Sequence, residues 1–81
     1  MSHDLDLWSS PSAPQRLWSV RKRDRELTAE LLTLGEYGCE IQLFRDRGFY
    51  SSKRFETVDR ALTSAERIVR AFEAEGWTRS T

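Results

Sequence analysis

The sequence predicts an α+β domain: a four-stranded antiparallel meander followed by one C-terminal α-helix packed on one face. Three observations carry that expectation. Apolar residues alternate with polar ones from Leu17 to Phe55, turn-forming residues cut that run into short pieces, and from Thr57 the spacing lengthens to that of a helix.

The elements follow in order. Leu17-Trp18-Ser19-Val20-Arg21 is a short first strand, and residues 25–34 alternate over Leu27, Ala29 and Leu31 to give a second. The alternative for 25–34 is a helix, since Glu, Leu and Ala form helices well; a three-stranded sheet would then remain. The strand is preferred because the next two segments need a neighbour to pair with. Gly35 and Gly38 mark a turn. Cys39 to Arg45 alternates again, Asp46-Arg47-Gly48 reads as a three-residue hairpin loop with Gly48 left-handed, and Phe49 to Phe55 is the fourth strand.

Thr57 then offers an N-cap and Asp59 suits the positive end of a helix dipole. Val58, Ala61, Leu62, Ala65, Ile68, Val69 and Phe72 form one apolar stripe. Gly76 is placed to stop the helix, with Trp77 folding back as its apolar partner. A helix from Val58 to Glu75 spans roughly 27 Å and matches strands of about eight residues.

At 81 residues the chain is one domain with a thin core. No apolar run approaches the span of a membrane helix. Met1 to Ser12 lacks the basic and apolar regions of a signal peptide, and the single Cys39 excludes an internal disulfide; both point to a cytoplasmic protein. Residues 1–15 read as a disordered or loosely docked tail and 16–81 as the ββββα domain. Leu5, Leu7 and Trp8 in that tail read either as a docking motif or as a cover for an edge of their own domain.

The register expected from these loops pairs Leu31 with Ile41, Ala29 with Leu43, Arg45 with Phe49, Phe44 with Tyr50 and Glu40 with Arg54. One face then carries Leu27, Ala29, Leu31, Cys39, Ile41, Leu43 and Phe55 and meets the helix. The other carries Thr28, Glu30, Leu32, Glu40, Gln42, Phe44, Tyr50, Ser52 and Arg54.

Nothing here reads as an enzyme. Cys39 falls on the inner face, and the only histidine, His3, is in the tail, so a Cys–His nucleophile fails. Glu30 and Glu40 on an open face opposite Arg54 read as solvated or ion-paired rather than as an acid–base pair. There is no phosphate loop and no metal-ligand spacing, so no cofactor and no small-molecule substrate are expected.

Charge is more informative. The net charge is zero, from 13 Lys+Arg and 13 Asp+Glu, but residues 16–25 sum to +4, 26–40 to −4, 45–54 to +3 and 56–75 to −2. A meander places its first and third turns at one end of the sheet, so Arg21, Lys22, Arg23 and Arg25 meet Arg45 and Arg47 there. Phe44 and Tyr50 lie just behind on the uncovered face. The basic residues are 11 Arg and 2 Lys. Codon usage in a GC-rich bacterial genome gives that bias, and so does selection for the planar fork of arginine.

Phe55-Glu56-Thr57-Val58-Asp59-Arg60-Ala61 resembles the Phe-x-Thr-x-x-x-Ala signature of AP2-type and integrase-like DNA-binding domains, which read DNA with a sheet packed on a helix. More broadly, Gly38-x-Glu40-x-Gln42-Leu43, Gly48, Arg54-Phe55-x-Thr57, Ala61, Ala65 and Gly76-Trp77 look like small uncharacterised bacterial strand–helix proteins. That resemblance implies the fold and no activity.

The resulting expectation is a non-enzymatic binding module. Its first form is protein–protein association, including self-association, through the uncovered face, where Leu32, Phe44 and Tyr50 lie, or through an edge strand. Its second form is nucleic-acid binding through the arginine rim with Phe44 and Tyr50.

Overall fold

The computed structural model describes residues 13–80. The elements are β1 (Gln15–Lys22), β2 (Arg25–Thr33), a single 3-10 turn (Gly35–Tyr37), β3 (Cys39–Arg45), β4 (Gly48–Phe55), α1 (Val58–Ala74) and β5 (Thr78–Arg79). The five strands form one antiparallel sheet in the order β4-β3-β2-β1-β5, and α1 packs on one face. The predicted meander and helix are therefore present. Residues 25–33 are strand and not helix. β1 begins at Gln15, inside the segment assigned to the tail; Leu5, Leu7 and Trp8 lie outside the described residues.

Beyond the four expected strands, the chain returns after α1 to pair β5 with β1, Val20 opposite Arg79 and Arg21 opposite Thr78. Two residues carry no alternation to read. Tertiary bonds hold this strand: the Ser80 amide donates to the Ser19 carbonyl at 2.9 Å, and Arg79 donates to Glu73 at 2.9 Å and to Glu66 at 3.0 Å on α1.

The β2–β3 register matches expectation, with Leu31 opposite Ile41 and Ala29 opposite Leu43. The β3–β4 turn does not. Asp46 and Arg47 both hold positive φ, 50° and 75°, the geometry of a two-residue type I′ turn; Gly48 is not left-handed and begins β4. Arg45 thus pairs with Gly48 and Phe44 with Phe49, rather than with Phe49 and Tyr50. A bulge then inserts Tyr50 as an extra residue, which puts Leu43 opposite Ser51 and restores the expected pair of Glu40 with Arg54.

The core lies between α1 and the sheet in two clusters. Trp18, Val20, Leu27, Ala29 and Val69 form one, and Leu31, Cys39, Ile41, Ala61 and Ala65 the other; Leu17 and Leu43 pack against both. A bulge between Arg16 and Trp18 lets neighbouring Leu17 and Trp18 both serve this core. The helix stripe is narrower than its sequence implied: Ala61, Ala65 and Val69 are buried, whereas Val58 and Leu62 are exposed. Small side chains at 61 and 65 let the helix axis lie close to the sheet. That closeness narrows the covered strip and leaves the flanking positions in water.

Both helix ends are closed as the residue types demand. The Thr57 hydroxyl accepts from the Arg60 amide at 3.2 Å. At the other end, the Trp77 amide donates to the Phe72 carbonyl and the Gly76 amide to the Glu73 carbonyl, both at 3.1 Å, with Gly76 at φ 99°. The Phe72 and Trp77 rings meet edge-on at 5.5 Å, completing a Schellman cap with its apolar contact.

Candidate functional site

The two hairpin turns do meet at one end of the sheet. The Asp46 amide donates to the Glu26 carbonyl at 2.9 Å, and the Glu26 amide donates to the Asp46 carboxylate at 3.0 Å. These reciprocal bonds lock the tip of β3–β4 beside the start of β2. The six basic residues predicted for this rim are all there, but they divide between the two faces of the sheet.

Arg21 and Arg47 belong to the uncovered face. Arg21 forms an ion pair with Glu26 at 3.7 Å, and Arg47 lines a shallow hollow of about 460 Å³ with Arg16, Glu26, Thr28, Glu30 and Phe44. Lys22 is committed elsewhere: its Nζ donates to the Glu75 carbonyl at 2.7 Å, at the negative end of α1. Arg23 sits at the tip of the first turn with φ 59°.

Arg25 and Arg45 project to the helix side, because alternation puts Arg25 on the side of Leu27 and the register puts Arg45 opposite Leu27. They line a cleft of about 190 Å³ with Leu27, Tyr50, Phe72 and Trp77. The Arg45 guanidinium lies 5.8 Å from the Tyr50 ring centre, a cation–π distance. Among the described residues, neither Arg25 nor Arg45 has a carboxylate within ion-pair distance.

Tyr50 therefore leaves the site that the sequence assigned to it. It was expected beside Phe44 on the uncovered face; the bulge turns it to the helix side, and Phe49 takes its place. Phe44 and Phe49 meet edge-on at 6.0 Å, with Phe49 63% exposed. Leu32 stays on the uncovered face, half-buried opposite Glu40, at the end away from the rim. Sequence reasoning missed Phe49 and did not connect Trp77 with the rim. The adjacent aromatics Phe49-Tyr50 interrupt the alternation of β4, and that break is the sign of a bulge.

The uncovered face is mixed in charge. Glu26 and Glu30 on β2 and Glu40 on β3 run through its centre, with Arg16 and Arg21 on the β1 side and Arg47 and Arg54 on the β4 side. The hollow holds Glu26 and Glu30 but not Glu40, whose carboxylate accepts from the Gln42 side-chain Nε2 at 3.0 Å.

Cys39 is fully buried. Burial pushes its thiol pKa up, and its Sγ faces the Thr57 carbonyl at 3.4 Å. Glu66 is held below the usual carboxylate range by hydrogen bonds from Arg70 and then Arg79. Among the described residues no three of His, Cys, Asp and Glu gather as a metal-binding group, and no helix is long and apolar enough to cross a membrane.

Compared with known proteins, the chain matches no family model, no curated protein and no solved structure.

Proposed function

We propose that the protein is a non-enzymatic association module that docks a protein partner on the uncovered sheet face and the adjoining edge strand β4. The observation that carries this reading is the Phe44–Phe49 pair, held on the face opposite α1, which no helix of the described residues covers, with Phe49 largely exposed at the edge. A central line of carboxylates between arginines gives that face a charge pattern for a complementary protein surface. Among the described residues β4 pairs on one side only, which offers its outer main-chain groups to an added strand.

The test compares wild type with Phe49→Glu, an exposed change that leaves the core intact. Sedimentation and a nuclease-treated pull-down from the native cell should show an assembly or partner that the variant loses. A chain that stays monomeric, and recovers nothing that Phe49→Glu loses, overturns the reading.

Single-stranded nucleic acid on the rim is the second reading, favoured by Arg25 and Arg45 beside the Tyr50 ring. It expects an affinity that falls steeply with salt and is weakened by Arg23→Glu and by Arg45→Glu. An affinity flat in salt sinks it. The carboxylates of the open face repel phosphate, so this reading rests on the rim alone and not on sheet-face reading of the kind that the AP2-type resemblance implies.

A further inference from the structure

The edge strand β4 runs beside a second concave surface, on the helix side and separate from the rim cleft. It is a shallow groove of about 520 Å³ between β4 and α1. Lys53 and Phe55 enter it from β4, because they stand opposite the buried Ile41 and Cys39 and so point to the face that α1 covers. Arg60, Ser64 and Arg67 enter it from α1, at spacings that put them on one flank of the helix.

That flank differs in charge from its opposite. Glu66 and Glu73 face β5, where Arg79 binds both and Arg70 shares Glu66. On the β4 side, Arg60 meets Glu56 at 3.8 Å with both groups in water. Neither Arg67 nor Lys53 has a carboxylate within ion-pair distance among the described residues. Asp59 is the one carboxylate among the described residues that lines the groove, against three cations. β4 itself carries Lys53 and Arg54 and no acid from Gly48 to Phe55. A second copy pairing by its own β4 would set cations against cations.

A strand added outside β4 would lie about 4.8 Å away, with alternate side chains projecting to the helix side at intervals of about 6.7 Å. Arg60 and Arg67 are about 10.5 Å apart along the helix axis. Acids at three alternate positions span about 13 Å and so come within reach of both arginines and of Lys53. We propose, resting on the reading of β4 as a docking edge, that the docked partner is an extended acidic segment of another protein. It adds to β4 as a strand and sets its alternate acids in the groove over Lys53, Arg60 and Arg67. A nucleic acid fits less well. It has no main-chain amides to pair with β4, and Phe55 is half-buried with the Lys53 ammonium 5.6 Å from its ring centre, where a base would stack.

The experiment titrates a short labelled peptide that alternates Glu with Thr against the full-length chain, followed by fluorescence anisotropy. Wild type should bind it, with an affinity that falls as salt rises. Arg60→Glu/Arg67→Glu should weaken binding at least tenfold, as should Lys53→Glu. All three positions are exposed, so these variants should keep the wild-type thermal midpoint. Two further peptides are N-methylated at alternate amides, one on its Glu and one on its Thr residues. One of them should lose binding at least tenfold and the other keep it, because only one edge of the added strand faces β4.

Absence of binding by wild type, equal binding of the two methylated peptides, or binding that survives Arg60→Glu/Arg67→Glu overturns the proposal. Peptide binding by Asp4→Lys/Asp6→Lys alone assigns the groove to the chain's own N-terminal acids, and binding of oligothymidylate alone assigns it to nucleic acid; each overturns it too. An assembly lost in Phe49→Glu but kept in Arg60→Glu/Arg67→Glu sinks the acidic strand and leaves the open-face reading standing.

Discussion

The indole Nε1 of Trp18 donates to the main-chain carbonyl of Ala65, in the middle of α1, at 3.1 Å and out of water. This bond joins the first strand to the helix at the point where Ala65 lets the two come close. Trp18→Phe removes the donor and part of the packing, while the Ala65 carbonyl keeps its place in the helix ladder. The expected loss is about 2 kcal/mol, from one buried hydrogen bond and a partial cavity. Urea unfolding followed by circular dichroism checks it; an unchanged midpoint contradicts it.

Gly38 has φ 89°, and a Cβ placed there would lie 2.4 Å from the Phe55 carbonyl oxygen. Gly38→Ala therefore meets both an unfavourable backbone conformation and a main-chain clash, and should cost about 3 kcal/mol. Gly48→Ala is the control: a Cβ there would lie 3.6 Å from the Arg45 carbonyl oxygen, an ordinary contact, and its φ is not positive. It should be close to neutral. A large loss at Gly48 would restore the three-residue loop with a left-handed glycine.

Arg47 holds φ 75° at the second central position of the β3–β4 turn, where glycine fits best. Arg47→Gly should raise stability by about 0.5–1 kcal/mol. Thermal unfolding measures this, and a lower midpoint would argue that the contacts of Arg47 over the open face outweigh its backbone strain.

Glu66 accepts from Arg70 and Arg79, and its pKa is lowered for that reason. A lowered carboxyl stabilises the fold above its unfolded pKa and loses that contribution as pH falls through its folded pKa. Glu66→Gln should therefore loosen β5 at pH 7 and differ little from wild type in strong acid, where wild type has also lost the charge. Nuclear magnetic resonance of the Ser80 amide against pH reports this; a difference that persists unchanged into acid is the opposing result.

The Cys39 thiol, raised in pKa by burial, should be inert to a thiol reagent in the native protein. Modification should track global unfolding in urea. Rapid labelling without denaturant would contradict its burial.

The inner face was legible from residue types. Leu27, Ala29 and Leu31 alternate, the Gly35 and Gly38 turn fixes the register against Ile41 and Leu43, and Thr57 and Gly76 bracket the helix. The turn at Asp46 was not, because its left-handed positions carry Asp and Arg instead of glycine. That one feature moved the outer aromatic from Tyr50 to Phe49 and sent Tyr50 to the side of Arg45. The position of the rim along the sheet follows from strand count, so it was legible. Which face each arginine takes depends on the register and on partners far apart in sequence: Glu75 for Lys22, Glu26 for Arg21, the bulge for Tyr50 beside Arg45. β5 depends on Arg79 reaching Glu66 and Glu73, which no local pattern announces.

The pairing of β5 with β1 has a consequence for the order of folding. The β1–β2, β2–β3 and β3–β4 pairings join neighbours in sequence, and each closes a short loop. Among the described strands β5 alone pairs residues far apart, Val20 with Arg79, and the Arg79 ion pairs with Glu66 and Glu73 need α1 in place. Its contacts belong to the last step and should be absent from the rate-limiting transition state. Arg79→Ala would then speed unfolding and leave the refolding rate nearly unchanged. In kinetic terms, the final strand governs how long the native state lasts rather than how fast it is reached.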